Sequence, residues 1–76
     1  MAKARWLTRE EVQRIKAEYP AGTRICLDHM DDPYDPVPDG TCGSVTMVDD
    51  QGQIFMKWDN GRTLALNTDI DTFHKI

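Results

Sequence analysis

Gln53-Ile-Phe-Met-Lys-Trp-Asp-Asn-Gly-Arg-Thr-Leu-Ala-Leu66 is the stretch on which the fold turns. Its first six residues alternate: Ile54, Met56 and Trp58 share one face, and Gln53, Phe55 and Lys57 the other. That period of two belongs to a strand with one buried face, and it places Trp58 in the core. Asp59-Asn60-Gly61 follows at once, and Asn-Gly tolerates the positive φ that a hairpin turn needs. The chain should therefore double back into a strand over Arg62 to Leu66, with Leu64 and Leu66 on the face of Met56 and Ile54.

Upstream of this hairpin, Asp49-Asp-Gln-Gly52 reads as a tight turn and Thr41 to Val48 as a strand. Val45 and Met47 would share the buried face of that strand, with Gly43 permitting a bend. Thr23 to His29 reads as the first strand, with Ile25 and Leu27 inward. Between these two strands lies Asp31-Asp-Pro-Tyr-Asp-Pro-Val-Pro-Asp-Gly40, ten residues rich in turn formers. Long ordered loops in small domains tend to carry function. Downstream, Asn67 to Ile76 reads as a turn of helix near Asp69 to Asp71 and a closing strand from Thr72.

The N-terminal side carries a helix signal. Thr8-Arg-Glu-Glu11 is a capping box, and Leu7 and Val12 fit the staple that accompanies one. Val12, Ile15 and Tyr19 continue an apolar stripe until Pro20 stops it, so the helix spans about Arg9 to Glu18. A helix this short needs support, from its own chain or from a second copy. Trp6 has no place in the stripe; it is a plug for one barrel end or a contact residue. The whole is expected to be mainly β: a small SH3-like β-barrel of about five strands with an N-terminal α-helix. Residues 1–20 form the helical extension and 21–76 the barrel.

The totals narrow the function. A chain of 76 residues buries only ~60–65% of its unfolded surface and has little room for a reaction pocket. Net charge is −4, but unevenly spread. Six Lys or Arg against three Glu make residues 1–24 net +3, whereas three cations against ten Asp make residues 25–76 net −7. An acidic barrel repels phosphate backbones, which disfavours a nucleic-acid partner. No apolar run spans a membrane and no signal peptide precedes the fold, so a cytoplasmic setting is expected, with Cys26 and Cys42 as thiols.

Three constellations bear on chemistry. Cys26, His29, Cys42 and His74 have the composition of a Cys2His2 zinc set, but only the first pair has short ligand spacing. If the first two strands pair symmetrically about Tyr34, Cys26 faces Cys42 and both are ordinary strand residues. Asp28, Asp31, Asp32, Asp35 and Asp39 cluster around the first loop without the spacing of an EF-hand. They are turn caps, a solvated face, or an acidic mimic of DNA. Tyr34, with Pro33, Pro36 and Pro38, either lines an aromatic groove for an extended peptide or folds over a barrel end. No cofactor is implied, and no catalytic pair has defensible geometry.

Tyr19-Pro-Ala-Gly-Thr-Arg24, Met30-Asp-Asp-Pro33, Pro36-Val-Pro38, Gly40-Thr-Cys-Gly43, Val48-Asp-Asp50, Gly52-Gln53 and Trp58-Asp-Asn-Gly61 together resemble the domain-of-unknown-function family 4314. The likeness runs from about Tyr19 to Ile76. It implies the small barrel and a setting among Firmicutes, their phages and conjugative elements, with no activity attached. The pattern around Trp58 is also similar to other SH3-like modules, which bind through loops at one barrel end.

The leading expectation is a non-enzymatic module that binds a protein, a host defence component being one candidate. The contacts would be Asp31, Asp32, Tyr34 and Asp35 of the first loop, with Asp59 and Arg62 of the hairpin. The helix would pack on its own barrel or make a homo-oligomer. The alternative is a phage or plasmid counter-defence protein that inhibits a host immune effector or sequesters its nucleotide signal. Arg5, Arg9 or Arg24, gathered in an oligomer, would supply the cations for that.

Overall fold

A computed structural model describes residues 7–76. Trp6 and Arg5 lie outside these residues. One helix, α1 (Arg9–Glu18), precedes five strands: β1 (Arg24–His29), β2 (Cys42–Val48), β3 (Gln53–Trp58), β4 (Leu66–Asn67) and β5 (Thr72–Lys75). All pairings are antiparallel, in the order β4-β3-β2-β1-β5. The fold is mainly β and barrel-like in outline. The sheet is nevertheless open among the described residues, because β4 and β5 are its two edges rather than partners.

The local signals for α1 hold in detail. Thr8 Oγ1 accepts the Glu11 N–H at 3.1 Å while Glu11 Oε1 accepts the Thr8 N–H at 2.8 Å. The stripe then docks on the chain's own sheet. Leu7, Val12 and Ile15 converge on the point where a side chain at Gly52 would begin. Gly52, at φ 82°, both makes the β2–β3 turn and leaves room for the helix. Lys16 reaches over the same turn to Asp50, Nζ to Oδ1 3.0 Å.

The core is Ile25 and Leu27 of β1, Val45 of β2, Ile54, Met56 and Trp58 of β3, and Leu66 of β4. Trp58 is the largest of these, and its indole N–H donates to the Leu64 carbonyl at 2.8 Å. Gly43 makes that placement feasible by closeness of approach as well as bend. A Cβ there would lie 2.7 Å from the Lys57 carbonyl oxygen and 3.0 Å from Trp58 Cε3.

Three sequence expectations are corrected. Met47 points outward, not into the core, because a bulge between Val45 and Met47 shifts the register. After the shift Met47 faces Phe55, and Val48 packs on the core beside Ile54. The fourth strand is Leu66–Asn67, not Arg62 to Leu66. The Asp59–Gly61 turn forms, with Trp58 N donating to Arg62 O, but the Trp58 ring then claims Leu64 O. That contact holds the segment by its core tryptophan, and ladder pairing resumes only at Leu66.

The third correction concerns the cysteines. Cys26 and Cys42 are partners in the β1–β2 register, as symmetric pairing about the loop requires, and they form a disulfide. The compartment argument expected two thiols; the register decides otherwise. Val45 N donates to Thr23 O and Leu27 N to Thr41 O. The Cys26–Cys42 pair falls between those bonded positions, where opposed side chains stand closest.

Candidate functional site

The Asp31–Gly40 loop is held at several points along its length. Met30, just before it, and Val37 within it are buried in the core, and Val37 N donates to Met30 Sδ at 3.5 Å. Asp32 Oδ1 accepts the Tyr34 N–H at 2.8 Å, a turn the aspartate makes on its own backbone. Gly40 closes the loop at φ 84°, its N–H donating to Leu27 O. Below the loop the disulfide clasps β1 to β2.

Two contacts from distant sequence complete the fastening. Asp71 Oδ1 accepts the Asp31 N–H and its Oδ2 accepts the Asn67 N–H, both at 2.9 Å. One carboxylate thus ties the first loop to the turn before β5. Arg62 Nη2 donates to the Asp35 carbonyl at 2.5 Å and stands 3.5 Å from its carboxylate.

Against this anchoring, Tyr34 is 93% exposed. The ring does not fold over the barrel end; Met30 and Val37 fill that role instead. Beside it runs a cleft of about 410 Å³ between the loop and the 64–71 segment. Met30, Pro33, Leu64 and Ile70 give it apolar walls, and Asp31, Asp32 and Asp71 give it charge.

The expected contact residues therefore divide. Asp31, Asp32 and Tyr34 share the cleft. Asp35 and Arg62 pair with each other and fix the loop to the hairpin. Asp59 belongs elsewhere. It takes a two-pronged hydrogen bond from Arg24, Nη1 to Oδ1 at 2.9 Å and Nη2 to Oδ2 at 2.7 Å, next to Ser44. The guanidinium's hydrogen bonds hold the Asp59 carboxyl below its ordinary range. Asp71, which sequence reasoning did not single out, lines the cleft and organises it.

Of the conjectured zinc set, the registers bring Cys42, Cys26 and His74 side by side across β2, β1 and β5, but their side chains are engaged elsewhere. The cysteines are bonded to each other, His74 Nδ1 is 3.0 Å from Asp28, and His29 Nδ1 is 3.3 Å from Asp39. Among the described residues no group of three or more His, Cys, Asp or Glu is arranged to hold a metal ion. No helix of the described residues is long and apolar enough to cross a membrane.

Fold and site together define a small antiparallel β domain, capped by a helix, with a cleft built from its first loop. The chain belongs to the family described as Domain of unknown function (DUF4314), which matches residues 8–76. No curated protein and no solved structure matches it.

Proposed function

We propose that this protein is a non-enzymatic interaction module that binds a protein partner through the face made by the Asp31–Gly40 loop. The observation that carries the reading is Tyr34: a large aromatic ring 93% exposed on a loop fastened by Met30, Val37, Asp71 and Arg62. A loop so fastened has its backbone ordering cost already met, which is what favours a preformed contact surface. We also describe the fold more finely as SH3-like. The strand order, the long first loop and the helical turn at Asn67–Asp71 support that description.

A cytoplasmic setting is part of the same proposal. The alternative, sequestration of a nucleotide signal, has less support. Arg24 is engaged by Asp59, Arg9 sits on α1, and the cleft is lined by carboxylates.

Capture from a host lysate tests the proposal. Proteins retained by the wild type should be lost with Tyr34→Ala and reduced with Asp32→Ala. Identical capture by all three would remove the loop from the account.

A further inference from the structure

We infer that the cleft beside Tyr34 receives an extended, cationic segment of a partner protein, one bearing Lys or Arg. This rests on the function proposed above and names the chemistry of its ligand. Three features of the cleft carry it.

The first is charge. Asp31, Asp32 and Asp71 line the cleft, and no Lys, Arg or His does. Three carboxylates outside the cleft have cationic neighbours: Asp59 has Arg24, Asp50 has Lys16, Asp35 has Arg62. Asp71 spends both oxygens on backbone N–H groups and Asp32 spends Oδ1 on Tyr34 and Asp35. The Asp31 carboxylate and Asp32 Oδ2 have no intramolecular partner among the described residues. Two carboxylate groups are thus left for an incoming cation.

The second is the exposed ring. A guanidinium or ammonium laid over Tyr34 would gain a cation–π contact, and the aliphatic stem behind it would pack on the cleft wall. Lys75 already makes such a contact with the chain's other tyrosine, its Nζ 4.9 Å from the Tyr19 ring centre.

The third is shape and backbone. The cleft lies open between the first loop and the 64–71 segment, where an extended chain can lie. Its recognition would run through side chains rather than strand addition, because the Asn67 N–H, at the edge strand β4, already donates to Asp71. An anionic ligand would meet three carboxylates, which excludes nucleotides and phosphopeptides as occupants.

The experiment titrates the ¹⁵N-labelled protein with a short peptide of alternating Arg and Pro, and with a matched peptide of alternating Glu and Pro. The Arg peptide should shift the amides of Asp31, Asp32, Tyr34, Asn67 and Ile70, and the Glu peptide should not. Affinity should fall about threefold with Asp31→Asn, in line with loss of one exposed ion pair. It should fall further with Tyr34→Ala and weaken as salt rises.

Equal binding of the Glu peptide, or shifts confined to the Arg24–Asp59 side, would overturn the inference. So would an affinity indifferent to Asp31→Asn, or shifts at the same amides from Ca²⁺ with the Arg peptide inert. A lysate partner that needs Tyr34 but ignores Asp31→Asn and salt would overturn the cationic ligand and leave the binding module standing. A partner indifferent to Tyr34 would overturn both.

Discussion

The helix region and the loop region, both packed on the same core, are finished in opposite ways. On the helix side, α1 lays Leu7, Val12 and Ile15 on the Gly52 turn. The hollow of about 350 Å³ beside the helix has Lys16 and Asp50 in its lining, already paired. On the loop side, comparable anchoring by Met30 and Val37 supports a surface whose ring is exposed and whose cleft carboxylates, Asp31, Asp32 and Asp71, have no cation in the lining. Burial is similar in kind; what differs is that the hollow pairs its carboxylate with a cation and the cleft does not. The helix side looks inward, while the loop side leaves its interactions open to another molecule.

Substitutions can break or sharpen that contrast. The largest effect is expected from Met30→Ala, which empties a buried site under the loop and should cost about 3 kcal/mol. Chemical denaturation measures it, and the loop side should lose amide protection first. On the helix side, Gly52→Ala places a methyl among Leu7, Val12 and Ile15 at a positive φ. A cost of about 2 kcal/mol is expected from overpacking and backbone strain together. Helix amides should then exchange faster while those of the loop hold. If either change loosened both sides equally, the two would not be separately built.

A smaller effect is expected at the Arg24–Asp59 pair. Asp59 has its carboxyl lowered by Arg24's hydrogen bonds, with 3.8 as the unperturbed value. Its contribution to stability is therefore present above that value and lost as pH falls through the lowered folded-state pKa. Asp59→Asn should lower stability slightly at pH 7 and flatten the acid limb below about pH 4, so that the two stability–pH curves converge in acid. An unchanged acid limb would show that the pair contributes nothing in solution.

Much of the fold was legible because its signals are local. The capping box, the stripe and Pro20 fix α1 within a dozen residues, and alternation over Gln53–Trp58 fixes β3 and the burial of Trp58. What was not legible depends on distant partners. The bulge that turns Met47 outward leaves no mark on the alternation of β2. The fourth strand was misplaced because the hairpin signal is real, while the capture of Leu64 O by the Trp58 indole is a tertiary event.

The site divides in the same way. Tyr34, Asp31 and Asp32 were readable from a turn-rich loop between two strands. Met30 and Val37 give no sequence signal, because two isolated apolar residues seven apart make no period. Asp59 lies apart from the cleft on Arg24, thirty-five positions away, a pairing that no local pattern announces. Asp71 is invisible without the turn that brings it under Asp31.

The account stands on the loop being ordered before any partner arrives. Backbone ¹⁵N relaxation of the free protein measures this directly. Order parameters of about 0.85 through Asp31, Asp32, Tyr34, Asp35 and Val37, equal to those of β3, are the predicted result. Values below about 0.6 across these residues would contradict it, because Tyr34 would then be carried on a mobile segment with no preformed surface.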